Sequence, residues 1–374
     1  FRFARRERVL SSRMPPLIHW FRRDLRIADN TALHNASREG SVIPAYILSN
    51  WKGSHHWTGP NRQHFLCGCL ESLSSNLATV NGRLIIRCGD AVGELVKLAK
   101  ETGAVAIHYN RDPDPFGKET EERLHKLCEG LGIRCTGHDD VSLHTPAEVL
   151  TQSATAYKVF TPYSRNWMNR EKPIPLPKPK DLNTPGDIES LDLPTVAHWG
   201  LETPTTDLPE PGERAARKRM DHAVSEIIGS YKERRDLPAA EGTSRLSQDL
   251  RYGLISIRTL FRNIAEARRG APSSALPGID TYMTELAWRE FYFAILQHFP
   301  HVLDHEFNED WKGLPWDEPG EKFELWKQGR TGFPIVDAGM RQLLETGFMH
   351  NRVRMITAMF LTKDLHHDWK LGES

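Results

Sequence analysis

The chain has 374 residues, with 39% hydrophobic and 26% charged side chains, which sets two domains with a sizeable core as the default. Lys plus Arg and Asp plus Glu both total 49, so an interaction with nucleic acid would need a local basic patch. No apolar run approaches the length that spans a bilayer. The five cysteines, Cys67, Cys69, Cys88, Cys128 and Cys135, are odd in number and lack paired metal-ligand spacing; buried thiols in a reducing cytoplasm fit them best.

Residues 1–13, ahead of Met14, are Arg-rich without the apolar stretch of a secretory signal. They read as an upstream extension, with a transit peptide as the alternative. Short apolar runs follow at Leu17 to Phe21, Val42 to Leu48, Leu84 to Ile86, Ala104 to Tyr109 and Ile133 to Thr136. Between them lie helix-like patterns at Arg62 to Val80, Ala91 to Lys100 and Lys118 to Leu131. Near-continuous apolarity suits strands covered on both faces, so residues 14–145 are expected to form an α/β domain with a doubly wound, mostly parallel five-stranded sheet.

Nine of the 24 prolines fall between Glu171 and Glu213, which excludes a sheet core there and makes 146–213 an interdomain connector. Amphipathic segments at Arg214 to Arg234, Ser256 to Arg269, Thr281 to Phe299 and Phe333 to Leu365 predict an all-α domain over 214–374.

Four places in that domain could carry chemistry. In the stretch from Tyr231 through Arg235 to Gly242, Thr243, Ser244, Arg245, Leu246 and Ser247, a glycine precedes hydroxyl residues ahead of a helix. Such a turn can aim N–H groups at a diphosphate, or be an ordinary N-cap. The helix from Thr281 puts Glu285, Trp288, Arg289 and Tyr292 on one face. That mixture suits a slot for a flat heterocycle, or a core stripe with an internal Glu-Arg pair. The run Gly347 to Met355 sets Phe348, Asn351 and Met355 on one face with Arg352 and Arg354 to the sides. With Arg235 and Arg245 these arginines make a basic patch, or a solvated face. Trp316, Trp326 and Trp369 are core indoles or an electron relay.

Other chemistries find no support: the chain has no Walker sequence, no GxGxxG after the first strand, no HExxH and no GxSxG. His366, His367 and Asp368 are adjacent, and neighbouring helical positions diverge by about a hundred degrees, so they make a poor metal site.

At these residues the sequence resembles the photolyase/cryptochrome family, from about Met14 to Ser374. IHWFRRDLRIADNTAL is similar to the family's N-terminal signature and YKVFTPYSRNW to the segment leaving the α/β domain. GTSRLS, ELAWREFY and TGFPIVDAGMRQLLETGFMHNRVRMI are similar to its flavin and DNA motifs. The resemblance implies FAD as cofactor, held by Tyr231 and Thr243 to Ser247 along its diphosphate and ribityl chain, with Arg289 and Arg354 in the flavin pocket. It implies DNA containing pyrimidine dimers as partner. Glu285, Trp288, Tyr292 and Asn351 would face the flipped dimer, Met355 would line the same pocket, and Arg235 and Arg352 would lie on the DNA side.

Asn351 and Met355 resemble enzymes acting on cyclobutane dimers, whereas relatives that repair six-four photoproducts and animal cryptochromes typically carry histidine in place of the asparagine. Light-driven dimer repair, a lyase reaction by a monomer, is therefore expected ahead of a cryptochrome-like photoreceptor or a non-catalytic DNA-binding fragment. Trp316 and Trp369 match the distal and middle members of the family's tryptophan relay. An antenna chromophore of folate or deazaflavin type is also implied, of unassigned identity, because Phe116 and Gly117 stand where the folate-binding pair is expected. The chain stops at HHDWKLGES, before a loop that in relatives surrounds the flavin ring. The expectation is a C-terminally incomplete flavin site that holds FAD weakly or not at all, with Arg354 short of its carboxylate partner.

Overall fold

The structure is a computed structural model that describes residues 15–53, 55 and 58–373; the segment read as an upstream extension lies outside them. Five strands, β1 (Leu17–Phe21), β2 (Val42–Leu48), β3 (Ile85–Cys88), β4 (Ala106–Asn110) and β5 (Arg134–His138), form one sheet in the order β3-β2-β1-β4-β5. All neighbours are parallel. Helices α1 (Thr31–Glu39), α2 (Pro60–Ala78), α3 (Ala91–Thr102) and α4 (Pro115–Glu129) supply the crossovers. β1, β2 and β4 are almost wholly buried, as their unbroken apolar runs require.

Helix α5 (Phe160–Asn169) interrupts the stretch expected to be connector. It buries Tyr163 and Trp167 completely and packs on the long helix of the second domain. Beyond it the proline-rich chain is extended, but it is no free linker. Leu182 donates to Val80 O at 2.9 Å and accepts from Val42 N at 2.8 Å. The Leu191 N–H bonds Ile86 O, and Ser190 Oγ accepts from Ile86 N, both at 2.9 Å. The connector thus covers the free edge of β3, whose exposed groups would otherwise invite other strands.

The helical domain comprises α6 (Glu213–His222), α7 (Tyr231–Arg234), α8 (Ser247–Arg251), α9 (Ile257–Gly270), α10 (Leu276–His298), α11 (Glu321–Lys327), α12 (Pro334–Thr346), α13 (Asn351–Met359) and α14 (Trp369–Glu373). A π turn at Ala223–Ile227 and a 3-10 turn at Ile228–Ser230 join α6 to α7. The continuous helix expected from Phe333 to Leu365 is broken. Gly347 ends α12 at φ 67°, a left-handed value that favours glycine, and His350 starts α13 by accepting from Arg352 N.

One apolar core runs from the α1/α2 face of the sheet into the helical domain, joining Phe21 and Leu73 to Trp167, Leu260 and Leu286. A second fills the opposite sheet face, and a third, around Phe323, Trp326 and Phe360, makes a separate lobe of α11 to α14. The two domains are also tied by a buried ion network. Asp140 accepts from Arg26 Nη2 at 2.6 Å and Arg258 Nη2 at 2.7 Å, and Asp29 accepts from Arg258 Nε at 2.8 Å. Burial pushes the Asp140 carboxyl upward, yet the two guanidinium groups hold it well below the usual range. No helix among the described residues is long and apolar enough to cross a membrane.

Candidate functional site

Part of the groups singled out in the helical domain, on α7, α10, the 243–247 loop and α13, is linked by a chain of contacts. Arg235, just past α7, donates to Glu285 on α10. One turn earlier on α10, Tyr282 donates its hydroxyl to Ser244 Oγ at 2.8 Å and meets the Tyr231 ring edge-on at 5.0 Å. Burial raises the Tyr282 phenol to about 12, so it stays a donor. Arg245 lies 4.8 Å over the ring of Phe348, in the turn between α12 and α13. Arg352 then donates to Asp236 Oδ1 at 2.5 Å, and Asp236 is the neighbour of Arg235.

The loop Gly242–Leu246 does not act as a capping turn. Leu246 occupies the N-cap of α8 without a side-chain bond. None of the backbone N–H groups from Thr243 to Leu246 donates to another group among the described residues. Arg245 stands at φ 49°, a left-handed conformation uncommon outside glycine, and successive N–H groups around such a residue form a concave anion cradle. Gly242 is needed behind it, since a Cβ there would sit 2.6 Å from Arg234 Cβ. Unspent N–H groups, the hydroxyls of Thr243 and Ser247 and the Arg245 cation are the donor set a diphosphate requires, so the residues present fit FAD.

On α10, Trp288 stacks on Phe160 of α5 with centroids 3.5 Å apart and planes 7° from parallel, and Tyr292 lies 5.7 Å from it on a face that leaves Tyr292 59% exposed. Phe160 was not foreseen as part of the site; only its place in the YKVFTPYSRNW motif pointed there. Glu285 pairs with Arg235 rather than with Arg289, which removes the internal Glu-Arg stripe. Asn351 opens α13 with its side chain exposed, and Met355 is exposed one turn on.

Three expected placements differ. Arg289 is not brought to the circuit: its guanidinium donates to Val141 O at 2.8 Å and covers the Phe293 ring, and burial lowers its pKa to about 10. The segment after β5 captures it, and the next residue, Glu290, does the same from the buried side by accepting from His144 N at 3.1 Å and Trp167 Nε1 at 2.6 Å. Phe348 lies in the turn before α13, not on a helix face with Asn351 and Met355. Trp316 and Trp369 share no ring contact among the described residues. Their segments are joined through Asp317 N to His366 O at 2.8 Å, while Trp369 lines an open cleft of about 420 Å³ with Phe307 and Trp311. Trp326 is core, its Nε1 donating to Thr357 O at 3.1 Å.

In the α/β domain, the switch point between β1 and β4 is where open parallel sheets usually take a ligand. Arg22 bonds Glu121 there and Arg23 bonds Asp112 at 2.6 Å, leaving a void of about 10 Å³. Phe116 is 78% exposed beside it.

Comparison with known proteins follows this geometry. Residues 17–180 match the DNA photolyase family profile, and residues 282–374 match the FAD binding domain of DNA photolyase. The deoxyribodipyrimidine photo-lyase of Synechococcus sp. is 36% identical over 368 residues, covering 96% of this chain and 76% of that protein. This chain belongs to the DNA photolyase family. A bacterial class III photolyase from Agrobacterium tumefaciens superposes with a TM-score of 0.89 at 35% identity, covering 98% of this chain and 76% of that one. A Synechocystis cryptochrome superposes at 0.86 and 28% identity, covering 96% and 77%. The expected fold, an α/β domain followed by a helical flavin domain, is that of the family. So are the DNA-repair function, the lyase class, DNA as partner and FAD as cofactor.

Proposed function

We propose that the contact circuit of the helical domain is the repair site, at which a cyclobutane pyrimidine dimer flipped from DNA meets FAD. The single observation that carries this is the circuit itself: the polar and aromatic groups of α7, α10, the 243–247 loop and α13 converge, with Glu285, Trp288, Tyr292, Asn351 and Met355 left accessible around it. When bound, FAD supplies the light-absorbing electron donor. Tyr231, Thr243, Ser244, Ser247 and the N–H groups beside Arg245 hold its diphosphate side.

Glu285 offers Arg235 only Oε1, and its Oε2 has no partner among the described residues. A carboxylate oxygen accepts from a pyrimidine imide N–H, and the Asn351 amide both donates and accepts at a base edge. Trp288, fixed from behind by Phe160, presents an aromatic wall to an extruded base, and Met355 adds an apolar one. Arg235 and Arg352 are assigned to DNA phosphates and Arg354 to the flavin. Trp316 and Trp369 are assigned electron delivery to the cofactor. The chain acts as a monomer in the cytoplasm, consistent with five free cysteines among the described residues.

The test is blue-light repair of an oligonucleotide carrying one cyclobutane thymine dimer by the FAD-loaded protein. Dimer loss that needs both light and flavin supports the assignment. Light-driven flavin reduction without dimer loss supports a photoreceptor instead.

A further inference from the structure

Asn351 opens α13, yet nothing on its own side chain holds it. The side chain is exposed and makes no hydrogen bond among the described residues, so its direction is set by the backbone of the first helical turn. That turn is the least secured part of a helix, because its leading N–H groups have no partner within the helix. His350 supplies one. Its Nδ1 accepts from Arg352 N at 3.2 Å, and its carbonyl accepts from Arg354 N at 2.9 Å.

The cap is itself anchored. His350 N donates to Gln342 Oε1 of α12 at 3.4 Å, and Met349 is buried in the lobe around Phe323, where the Thr357 hydroxyl donates to its sulfur. The His350 ring is 5% exposed. A helix start usually takes Ser, Thr, Asp or Asn, whose side-chain oxygen accepts throughout the neutral range. An imidazole nitrogen accepts only while the ring is neutral and its proton sits on the other nitrogen, here Nε2.

The surroundings keep the ring neutral. Burial holds the His350 pKa below its ordinary value, and the cations Arg352 on α13 and Arg245 in the 243–247 loop add to this. The Arg235 backbone and the Asp236 carboxylate, both just past α7, act the other way, and α12 presents the uncharged Gln342. The cap therefore persists at neutral pH. It is lost as pH falls below the ordinary histidine range, when Nδ1 gains a proton and can no longer accept.

We propose that His350 is a positioning residue for dimer recognition: its neutral ring pins the first turn of α13 and thereby aims Asn351 at the base edge. This rests on the reading that Asn351 faces the dimer, and adds that a proton-sensitive cap directs the amide.

The experiment measures the preference of FAD-loaded protein for a dimer-containing over an undamaged oligonucleotide, between about pH 7.5 and 5. Taking the ratio removes effects on phosphate contacts, which both DNAs share. The variants are His350→Ala, His350→Asn, Asn351→Ala and the double variant of His350→Ala with Asn351→Ala. At neutral pH, His350→Ala should lower the preference by about five-fold with FAD content unchanged, whereas His350→Asn, which can still cap, should stay within about two-fold of the parent. The double variant should be no worse than Asn351→Ala, because His350 acts through Asn351. Acid should reduce the preference of the parent and leave that of His350→Asn level.

Equal losses in His350→Ala and His350→Asn, or additive losses in the double variant, would make the histidine merely structural and overturn the proposal. The same pH profile in the parent and His350→Asn would also overturn it, and that comparison decides should His350→Ala fold poorly. If Asn351→Ala leaves the preference unchanged, the dimer lies elsewhere and the proposal falls with that reading. If Asn351→Ala lowers it and His350→Ala does not, the proposal alone fails.

Discussion

Arg352 Nε donates to Asp236 Oδ1 at 2.5 Å, and this ion pair ties the first turn of α13 to the residue after α7. It crosses between two apolar clusters, since α13 belongs to the lobe around Phe323 and α7 packs on α10. Arg352 is 36% and Asp236 54% exposed, so the pair contributes less than about 1 kcal/mol to stability. Its effect is to hold a cation at the rim of the proposed repair site. The Arg352 hydrogen bond also keeps the Asp236 carboxyl below its ordinary pKa, so the pair stays charged across the neutral range.

Releasing that cation has a measurable outcome. Asp236→Asn is expected to leave the thermal midpoint within a degree or two while DNA binding gains salt dependence, its log-log slope steepening by about one. Fluorescence anisotropy across a salt series checks this. An unchanged slope would mean that Arg352 does not reach DNA phosphate.

Glu285→Gln keeps the shape of the side chain and removes its charge. It also weakens the hold on Arg235, which loses its charged partner. Hydrogen bonds to charged groups contribute about 1.5–3 kcal/mol, so repair of a dimer oligonucleotide should fall by about ten-fold or more, with FAD content per mole unaffected. Single-turnover kinetics on flavin-matched samples separate the two effects.

Trp288 owes its orientation to Phe160. Trp288→Ala removes the aromatic wall and leaves Phe160 without its stacking partner, so preference for dimer over undamaged DNA should drop by about ten-fold, following the ~1–3 kcal/mol typical of base stacking. Phe160→Ala should produce a smaller loss of the same kind through misplacement of the indole. Competition binding with matched oligonucleotides measures both.

Asp140→Ala leaves Arg26 and Arg258 buried without their shared anion. The expected cost is about 3–5 kcal/mol, read as a shift of the urea midpoint. Because the network joins the two domains, its loss should also separate their unfolding into two transitions. A shift under about 1 kcal/mol would show that water or a neighbouring carboxylate compensates.

Acid should destabilise the chain earlier than its carboxylates would. Burial lowers His138 and His144 to about 4, from an ordinary value of 6.5. The unfolded state then binds more protons between those limits. Stability is complete above pH 6.5 and is lost as pH falls toward 4, by up to about 1.4 kcal/mol per unit for each histidine. His138 stacks on His108 and faces Arg111 and Asp140. His138→Gln should flatten the fall of the thermal midpoint between pH 6.5 and 4.5.

Much of the fold could be read from the sequence, because the central strands, buried on both faces, leave short continuous apolar runs at regular intervals. The expected strand at Ala104 to Tyr109, for example, lies within two residues of β4. Helix α5 was hidden, since Pro162 and a polar run obscure its period, and its two buried rings declare themselves only against α10. The break at Gly347 was missed because the apolar pattern of α12 continues into α13 while the backbone turns. Spacing along one helix put Trp288 beside Tyr292, and their rings lie 5.7 Å apart. It said nothing of pairings across the fold, where Glu285 takes Arg235, 50 residues away, over Arg289 one turn along. Arg289 shows why: position on a helix face says where a side chain starts, and the Val141 carbonyl decides where it ends.

The most direct test of the repair site is photorepair by FAD-loaded protein carrying Glu285→Gln, Asn351→Ala or no substitution, assayed on one dimer-containing oligonucleotide under blue light. The geometry predicts light-dependent dimer loss in the parent, and a slower rate in both variants at equal flavin content. Equal repair rates in all three, with flavin matched, would contradict it and move the site of dimer splitting away from the circuit of α7, α10 and α13.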